Sequence, residues 1–385
     1  MNYNHRDKNS STIAIHVMCA IVFSLFSFCW LYLFQADVLM MAQHVLSNGV
    51  THYNPLIGAC VITLLLYLLQ KVLYRFLKLK KRSHALTYLP SMLILALLSS
   101  IVPEGDSGVS FSMSWWAILL ILAVWGLMAF VARSTQDVES DVRFGLFSRP
   151  MWINLLFMSL MMMLVAWVGN TNAVFHYRMK VERCLIEGEA ADALQAGKRS
   201  LESDKELFML RMYALARAHA LGEHLFEYPI TGKREDMLPT AKTSTGFMMY
   251  PVDSLYKFMG ARPAGLMSPE RYLQLLERRD TLPNQTVQDY LLCGYLIDRQ
   301  IDQFAKEVGR YYHINDSLPK HYREALTLYT HMRTRPRVVY HNAVMDEDYD
   351  NFQELERDYK DATERKGKVE EKYRETYWYY YKYEK

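Results

Sequence analysis

The residues best equipped for chemistry lie in three short stretches. EGDSGVS (104–110) puts Ser107 in a Gly-Asp-Ser-Gly turn, and QADVLMMAQHVLSNGVTHY (35–53) carries His44 and His52. A serine becomes a nucleophile when a base is within hydrogen-bond reach and donors meet the developing oxyanion. Ser107 with His44 or His52, beside Glu104 and Asp106, is the one set in the chain that reads as hydrolytic. The same histidines are nitrogen ligands for a metal or haem, but no carboxylate or thiol cluster accompanies them, so solvated interface histidines are expected and no cofactor is. The third stretch closes the chain: YRETYWYYYKYEK (373–385) has seven aromatic side chains in thirteen positions.

The elements that hold the first two stretches are apolar. Mean hydropathy is near zero only because it averages two unlike parts. Residues 13–34, 56–77, 85–102, 115–132 and 151–169 are runs close to the roughly 20 residues that cross a bilayer, which predicts five transmembrane helices. The first run exceeds a secretory h-region and lacks a small-x-small site, so it reads as an uncleaved anchor. Eleven Lys and Arg precede residue 170, all in the N-terminal tail, in 71–82 or in 133–149, and none in 35–55 or 103–114. Cationic loops stay cytoplasmic, so the N-terminus is expected inside and everything after the fifth span outside. Most Trp residues before position 170 fall near predicted interfaces; Trp125 is mid-span. KLKKR at 78–82 attracts anionic lipid weakly and mainly sets topology.

The GDSG string is shared with trypsin-like serine proteases and GxSG with rhomboid intramembrane proteases. A sixth span bearing the histidine is missing, and a short Gly, Asp and Ser loop between spans is ordinarily a turn. No span carries Asp or Glu, which argues against a proton-coupled pump; His16 and Asn154 are polar residues near cytoplasmic span ends. Val38, Leu39, Met41, Ala42, Val45 and Leu46 share one helical face, as in a short helix lying in the outer interface.

Beyond residue 170 the chain carries 33 Lys and Arg against 34 Asp and Glu, a net charge of −1. A balanced domain outside a membrane makes a poor nucleic-acid binder, so the aromatic tail is not expected to stack on bases. Periodicity predicts an all-α chain: a transmembrane domain (1–170) followed by an extracytoplasmic helical domain (171–385). Gly188-Glu189 and Gly222-Glu223 are 34 residues apart, as are Leu292-Tyr295 and Leu326-Tyr329. That is the tetratricopeptide (TPR) period, the alternative being an irregular helical bundle. The second helix of the first pair is expected to stop near Asp204. Frequent Pro and Gly at 230–267 predict a largely non-helical insertion, and SPER at 268–271 predicts a helix N-terminus. Cys184 and Cys293 read as buried free thiols, with a pair as the alternative. Tyr349, Phe352, Leu355 and Tyr359 form one stripe, Gly367 a turn, and Val369, Tyr373, Tyr377, Tyr380 and Tyr381 a second stripe. Trp378, Tyr379 and Tyr383 point off that stripe, either as cap or as a partner-binding surface.

The QADVLMMAQHVLSNGVTHYNP loop, the helical-repeat-like outer region and the TYWYYY ending resemble uncharacterised multi-span membrane proteins of Bacteroidetes-type bacteria, domains of unknown function. The resemblance implies a Gram-negative inner-membrane protein with a periplasmic C-terminal domain, and implies no activity. It also implies O-glycosylation at Asp-Ser/Thr-apolar motifs: Ser254, Thr281 and Ser317 stand in such triplets. The functional expectation is a membrane-anchored interaction protein whose helical repeats bind a protein or peptide, in contact with membrane lipid and not nucleic acid. The alternative is a membrane-embedded enzyme or transporter around His44, His52 and Ser107.

Overall fold

The computed structural model describes residues 3–79, 81–104, 108–134, 148–239, 247–265, 267–279 and 284–384. The chain separates into two compact units, Met1–Asn172 and Ala173–Lys385.

In the first unit α1 (Tyr3–Cys29) runs through a π-helical turn, Trp30–Phe34, into α2 (Ala36–Leu46); α3 (Pro55–Leu77) follows, capped by the Asn54 side chain. A 3-10 segment, Lys81–Tyr88, leads into α4 (Leu89–Ser99), then a hairpin of β1 (Ile101–Glu104) and β2 (Gly108–Phe111), then α5 (Trp115–Ser134) and α6 (Arg149–Val168). Among the described residues four helices are long and apolar enough to cross a membrane: Thr12–Phe34, Pro55–Leu77, Trp115–Ser134 and Arg149–Val168.

The third apolar run, 85–102, is not one α-helix, and Pro90 is the reason. Proline has no N–H to bond back four residues and is tolerated only in a helix's first turn, so α4 begins at Leu89, with a 3-10 segment before it up to Tyr88. In an α-helix the Leu86 carbonyl would take the N–H of residue 90. It takes the Trp125 indole N–H instead, at 2.8 Å, which gives that mid-span tryptophan its partner. The composite segment is the buried centre of the unit: His84, Thr87, Tyr88, Met92, Leu95, Ala96 and Ser99 are all buried. Around it α1 presents Ile15, Cys19, Phe23 and Ser27, α3 presents Ala59, Thr63, Leu66 and Gln70, and α6 presents Asn154, Met158, Met161 and Val165, each at helical spacing. The opposite faces, such as Ile13, Val17, Ile21 and Leu25, are exposed. Asn154 fastens the start of the segment. Its Oδ1 accepts the Ala85 N–H at 2.7 Å, and its Nδ2 donates to the carbonyls of Lys81 (2.7 Å), Arg82 (3.2 Å) and Pro150 (2.7 Å). The apolar face of α2 is taken up in part by this unit itself, for Val38, Leu39, Met41 and Ala42 are buried while Leu46 is exposed.

The second unit has helices as its only regular elements among the described residues: α7 (Ala173–Glu187), α8 (Ala190–Gln195), α9 (Lys205–Arg217), α10 (Leu221–His224), α11 (Val252–Met259), α12 (Pro269–Arg279), α13 (Gln285–Ile297), α14 (Ile301–Tyr311), α15 (Lys320–Met332), α16 (Ala343–Asp358), α17 (Ala362–Tyr373) and α18 (Tyr377–Tyr383). Three helix-to-helix turns share one geometry. Gly188, His219 and Arg299 adopt φ of 82°, 52° and 56°. The next N–H in each case reaches back five residues: Glu189 to the Cys184 carbonyl (2.8 Å), Ala220 to Leu215 (2.9 Å) and Gln300 to Tyr295 (2.8 Å). The structural counterpart of Gly188 is thus His219, and not the Gly222 that a 34-residue spacing selects. Gly222 lies inside α10, where a Cβ would come within 2.7 Å of the Tyr322 ring, so its small size lets α10 press on α15.

Other boundaries move for equally local reasons. α8 stops at Gln195, and Asp204 is an N-cap, its Oδ1 accepting the Leu207 N–H at 2.7 Å. Gly367 sits within α17; the turn before it falls at 359–361, where Asp361 accepts the N–H groups of Thr363 and Glu364 at 3.0 and 2.9 Å. The tail is divided again at Thr376, which caps α18. Ser268 is the N-terminal signal of α12, accepting from Arg271 at 3.4 Å. Residues 230–267 hold α11 and a 3-10 turn at Arg234–Asp236.

Candidate functional site

The second unit has a polar cleft of about 820 Å³. Tyr177 of α7 forms one wall, Gln195 and the turn from Gly197 to Ser200 form the next, and Glu227, Arg374 and Glu375 complete it. Arg211, buried on α9, builds the turn from beneath. Its guanidinium donates to the carbonyls of Ala196 (3.4 Å) and Gly197 (3.2 Å) and to the Ser203 hydroxyl (3.4 Å), and it lies over the Tyr228 ring. Gly197 has φ 63° and its Cβ position lies 2.6 Å from the Tyr177 ring, so a side chain there would displace that wall.

The charges are partly answered. Lys198 meets Glu227 at 3.2 Å and His224 Nδ1 meets the other Glu227 oxygen at 2.8 Å. Burial pushes Glu227 up, but these two hydrogen bonds outweigh it and hold the carboxyl below its ordinary value; the Glu227 hydrogen bond in turn raises Lys198. Arg199 and Arg374 have no ion pair among the described residues. A second polar cleft of about 710 Å³ shares Arg374 and Glu375 and adds Lys320, Glu370, Glu371, Lys372 and Thr376. Ser200 is the hydroxyl of the first cleft, and it accepts the Glu202 N–H at 3.2 Å. No base stands on it among the described residues. Forked cations beside carboxylates suit binding of a charged or polar chain.

A buried acid–base pair lies elsewhere in the unit. Phe226 donates its N–H to His321 Nε2 at 3.2 Å, which puts the ring proton on Nδ1, facing Glu324 Oε2 at 2.9 Å. The same carboxylate accepts the Tyr377 N–H at 2.7 Å, and the Glu324 carbonyl takes the Trp378 indole N–H at 2.8 Å. The pair therefore ties α18 to α15 and has no access to substrate.

The residues singled out in the sequence scatter. Ser107, Asp106 and Thr281 lie outside the described residues. His44, at the end of α2, is half-buried; burial and then the nearby His52 lower its pKa. His52 is exposed, and no group of three His, Cys, Asp or Glu able to hold a metal occurs among the described residues. Trp378, 1% exposed, packs on Tyr349, Phe352 and Tyr373, and Tyr379 is also buried, so these two side chains belong to the core. Tyr383 is half-buried, stacks on Tyr379 and donates to Glu356 at 2.8 Å. Ser254 lies half-buried on α11, and Ser317 is exposed with its hydroxyl on Asn315 at 2.5 Å. Cys184 and Cys293 are both buried free thiols. The cleft itself carries no sequence motif; its walls come from segments nearly two hundred residues apart.

A family of unknown function (DUF6057) matches residues 269–384, the stretch from α12 to the end of α18. No curated protein and no solved structure matches the chain.

Proposed function

We propose that the chain is a multi-pass membrane protein whose helical C-terminal domain, TPR-like in its hairpins, binds a protein or peptide segment in the Arg199–Arg374 cleft. The observation that carries this reading is a cleft of about 820 Å³ in which two arginines have no ion pair among the described residues. A guanidinium fork left open beside carboxylates is matched by a partner with both signs of charge, and solenoid hairpins commonly offer such surfaces.

In the membrane, five crossings are proposed, the third being the composite segment at 81–99. A 3-10 helix rises about 2.0 Å per residue and an α-helix about 1.5 Å, so the helical stretch that follows the kink at Ser83 reaches roughly 26 Å, a few ångströms less than a hydrocarbon core of about 30 Å. Its position at the bundle centre shields the weaker 3-10 hydrogen bonds from lipid. The inner membrane of a Gram-negative cell, with the C-terminal domain periplasmic, is the compartment proposed; nucleic acid is not a proposed partner.

The test is a photo-crosslinking residue at Gln195 in the native host. A discrete adduct that disappears when Arg199→Glu and Arg374→Glu are combined is expected. An adduct indifferent to that pair, or none above the level at exposed Glu354, overturns the binding reading.

A further inference from the structure

We infer that the loop joining α15 to α16 is a docking surface for an anionic lipid headgroup layer. The chain leaves α15 at Met332 and returns to the same helical turn. Arg337 donates its N–H to the Tyr329 hydroxyl at 3.2 Å, and Tyr340 donates its N–H to the Thr330 hydroxyl at 3.3 Å. The neck is fixed further by Asp316, which accepts from the Tyr340 hydroxyl (3.1 Å) and from Asn342 Nδ2 (2.8 Å), while Asn342 Oδ1 caps α16. The surface around this neck is unusual in composition. Met332 at the end of α15, Val339 within the neck and Val344 in the first turn of α16 are 41%, 56% and 74% exposed. Arg333, Arg335 and Arg337 stand among them, and no Asp or Glu occurs between Glu324 and Asp346, although the region after residue 170 is close to neutral. Arg333 is answered by Asp302 at 3.0 and 2.5 Å; Arg335 and Arg337 have no ion pair among the described residues.

Exposed aliphatic side chains interleaved with unanswered arginines are the chemistry of an interfacial contact: the apolar groups enter the acyl boundary and the cations meet phosphates. The inference rests on the four membrane-length helices, which keep a bilayer at high effective concentration for any loop of the same chain. Pro336 and the two-point neck reduce the conformational freedom lost on docking. Each arginine near an anionic surface is worth roughly a fivefold change in docking, and two about thirtyfold.

The test uses the full chain with Cys29→Ser and Cys60→Ser and an environment-sensitive fluorophore on Val339→Cys, reconstituted in nanodiscs of zwitterionic lipid with and without phosphatidylglycerol. A blue-shifted emission only in anionic discs, lost in Arg335→Glu with Arg337→Glu, is expected. Emission indifferent to lipid charge overturns the inference, as does a shift that survives the double charge reversal, which would mean that another surface of the protein covers the loop.

Discussion

Glu182 of α7 is 0% exposed, yet it ends against three consecutive backbone N–H groups, those of Met248 (3.0 Å), Met249 (2.6 Å) and Tyr250 (2.9 Å). Burial raises its pKa; the three donors and the Arg178 charge oppose that rise. Glu182→Ala leaves those donors in a dry site, at about 1–3 kcal/mol for each buried group without a partner. The expected result is a loss of at least about 3 kcal/mol in the second unit, with amide exchange at 248–250 rising first; unchanged protection there would show that other groups hold this part of the insertion. Glu227 gives a pH-dependent counterpart. Its folded pKa is depressed below the ordinary 4.5, so its contribution to stability is present above that value and is lost as pH falls through the depressed one. Glu227→Gln should remove this component, flattening the fall of the unfolding midpoint below about pH 4.5; parallel wild-type and variant curves would discount the Lys198–Glu227–His224 cluster.

Among elements, the central segment of the first unit is the most informative. Its 3-10 half depends on one side chain, since Asn154 both accepts from Ala85 and donates to three carbonyls. Asn154→Leu keeps the volume and takes the partner from the buried Ala85 N–H and from the Lys81 and Arg82 carbonyls. It should lower thermal stability in detergent by several kcal/mol, whereas Met158→Leu on the same face should cost less than about 1.5 kcal/mol. Equal effects of the two would mean that packing alone holds the segment. Pro90 was visible in the sequence, but hydropathy sums over it, and only the geometry shows that the run is wound in two ways. Helix starts were more legible: Ser268 acts where SPER indicates, because a cap is a contact within four residues. The turns at His219 and Arg299 were not legible, since their left-handed geometry is filled by residues that carry no turn signal. Gly222 and Gly367 mislead for the converse reason, as one serves close packing and the other lies in an ordinary helix. The cleft escapes sequence reasoning altogether, because Arg199, in the turn after α8, and Arg374, at the end of α17, come to line one cleft only through the packing of the fold.

At the scale of the whole molecule, whether 81–99 crosses the bilayer decides on which side the second unit lies. Four crossings return the chain to the side of its N-terminus, and five leave it opposite. The cations discriminate between these arrangements. If 81–99 crosses, the N-terminal tail, 71–82 and 133–149 share one side with all eleven Lys and Arg before residue 170, while 35–55 and 103–114, which have none, share the other. If it turns back, the cation-free hairpin of β1 and β2 joins the cationic KLKKR side, and Arg133, Arg143 and Arg149 move across, against the preference that orients membrane proteins. The segment packs on α3 and α6 in both its halves and on α1 in its 3-10 half. Reporter fusions at Ser83 and Ser112, on either side of the segment, should therefore report opposite compartments, with Ser83 inside, and a fusion after Lys385 should match Ser112. If Ser83 and Ser112 report the same side, the composite segment is re-entrant and the second unit faces the cytoplasm.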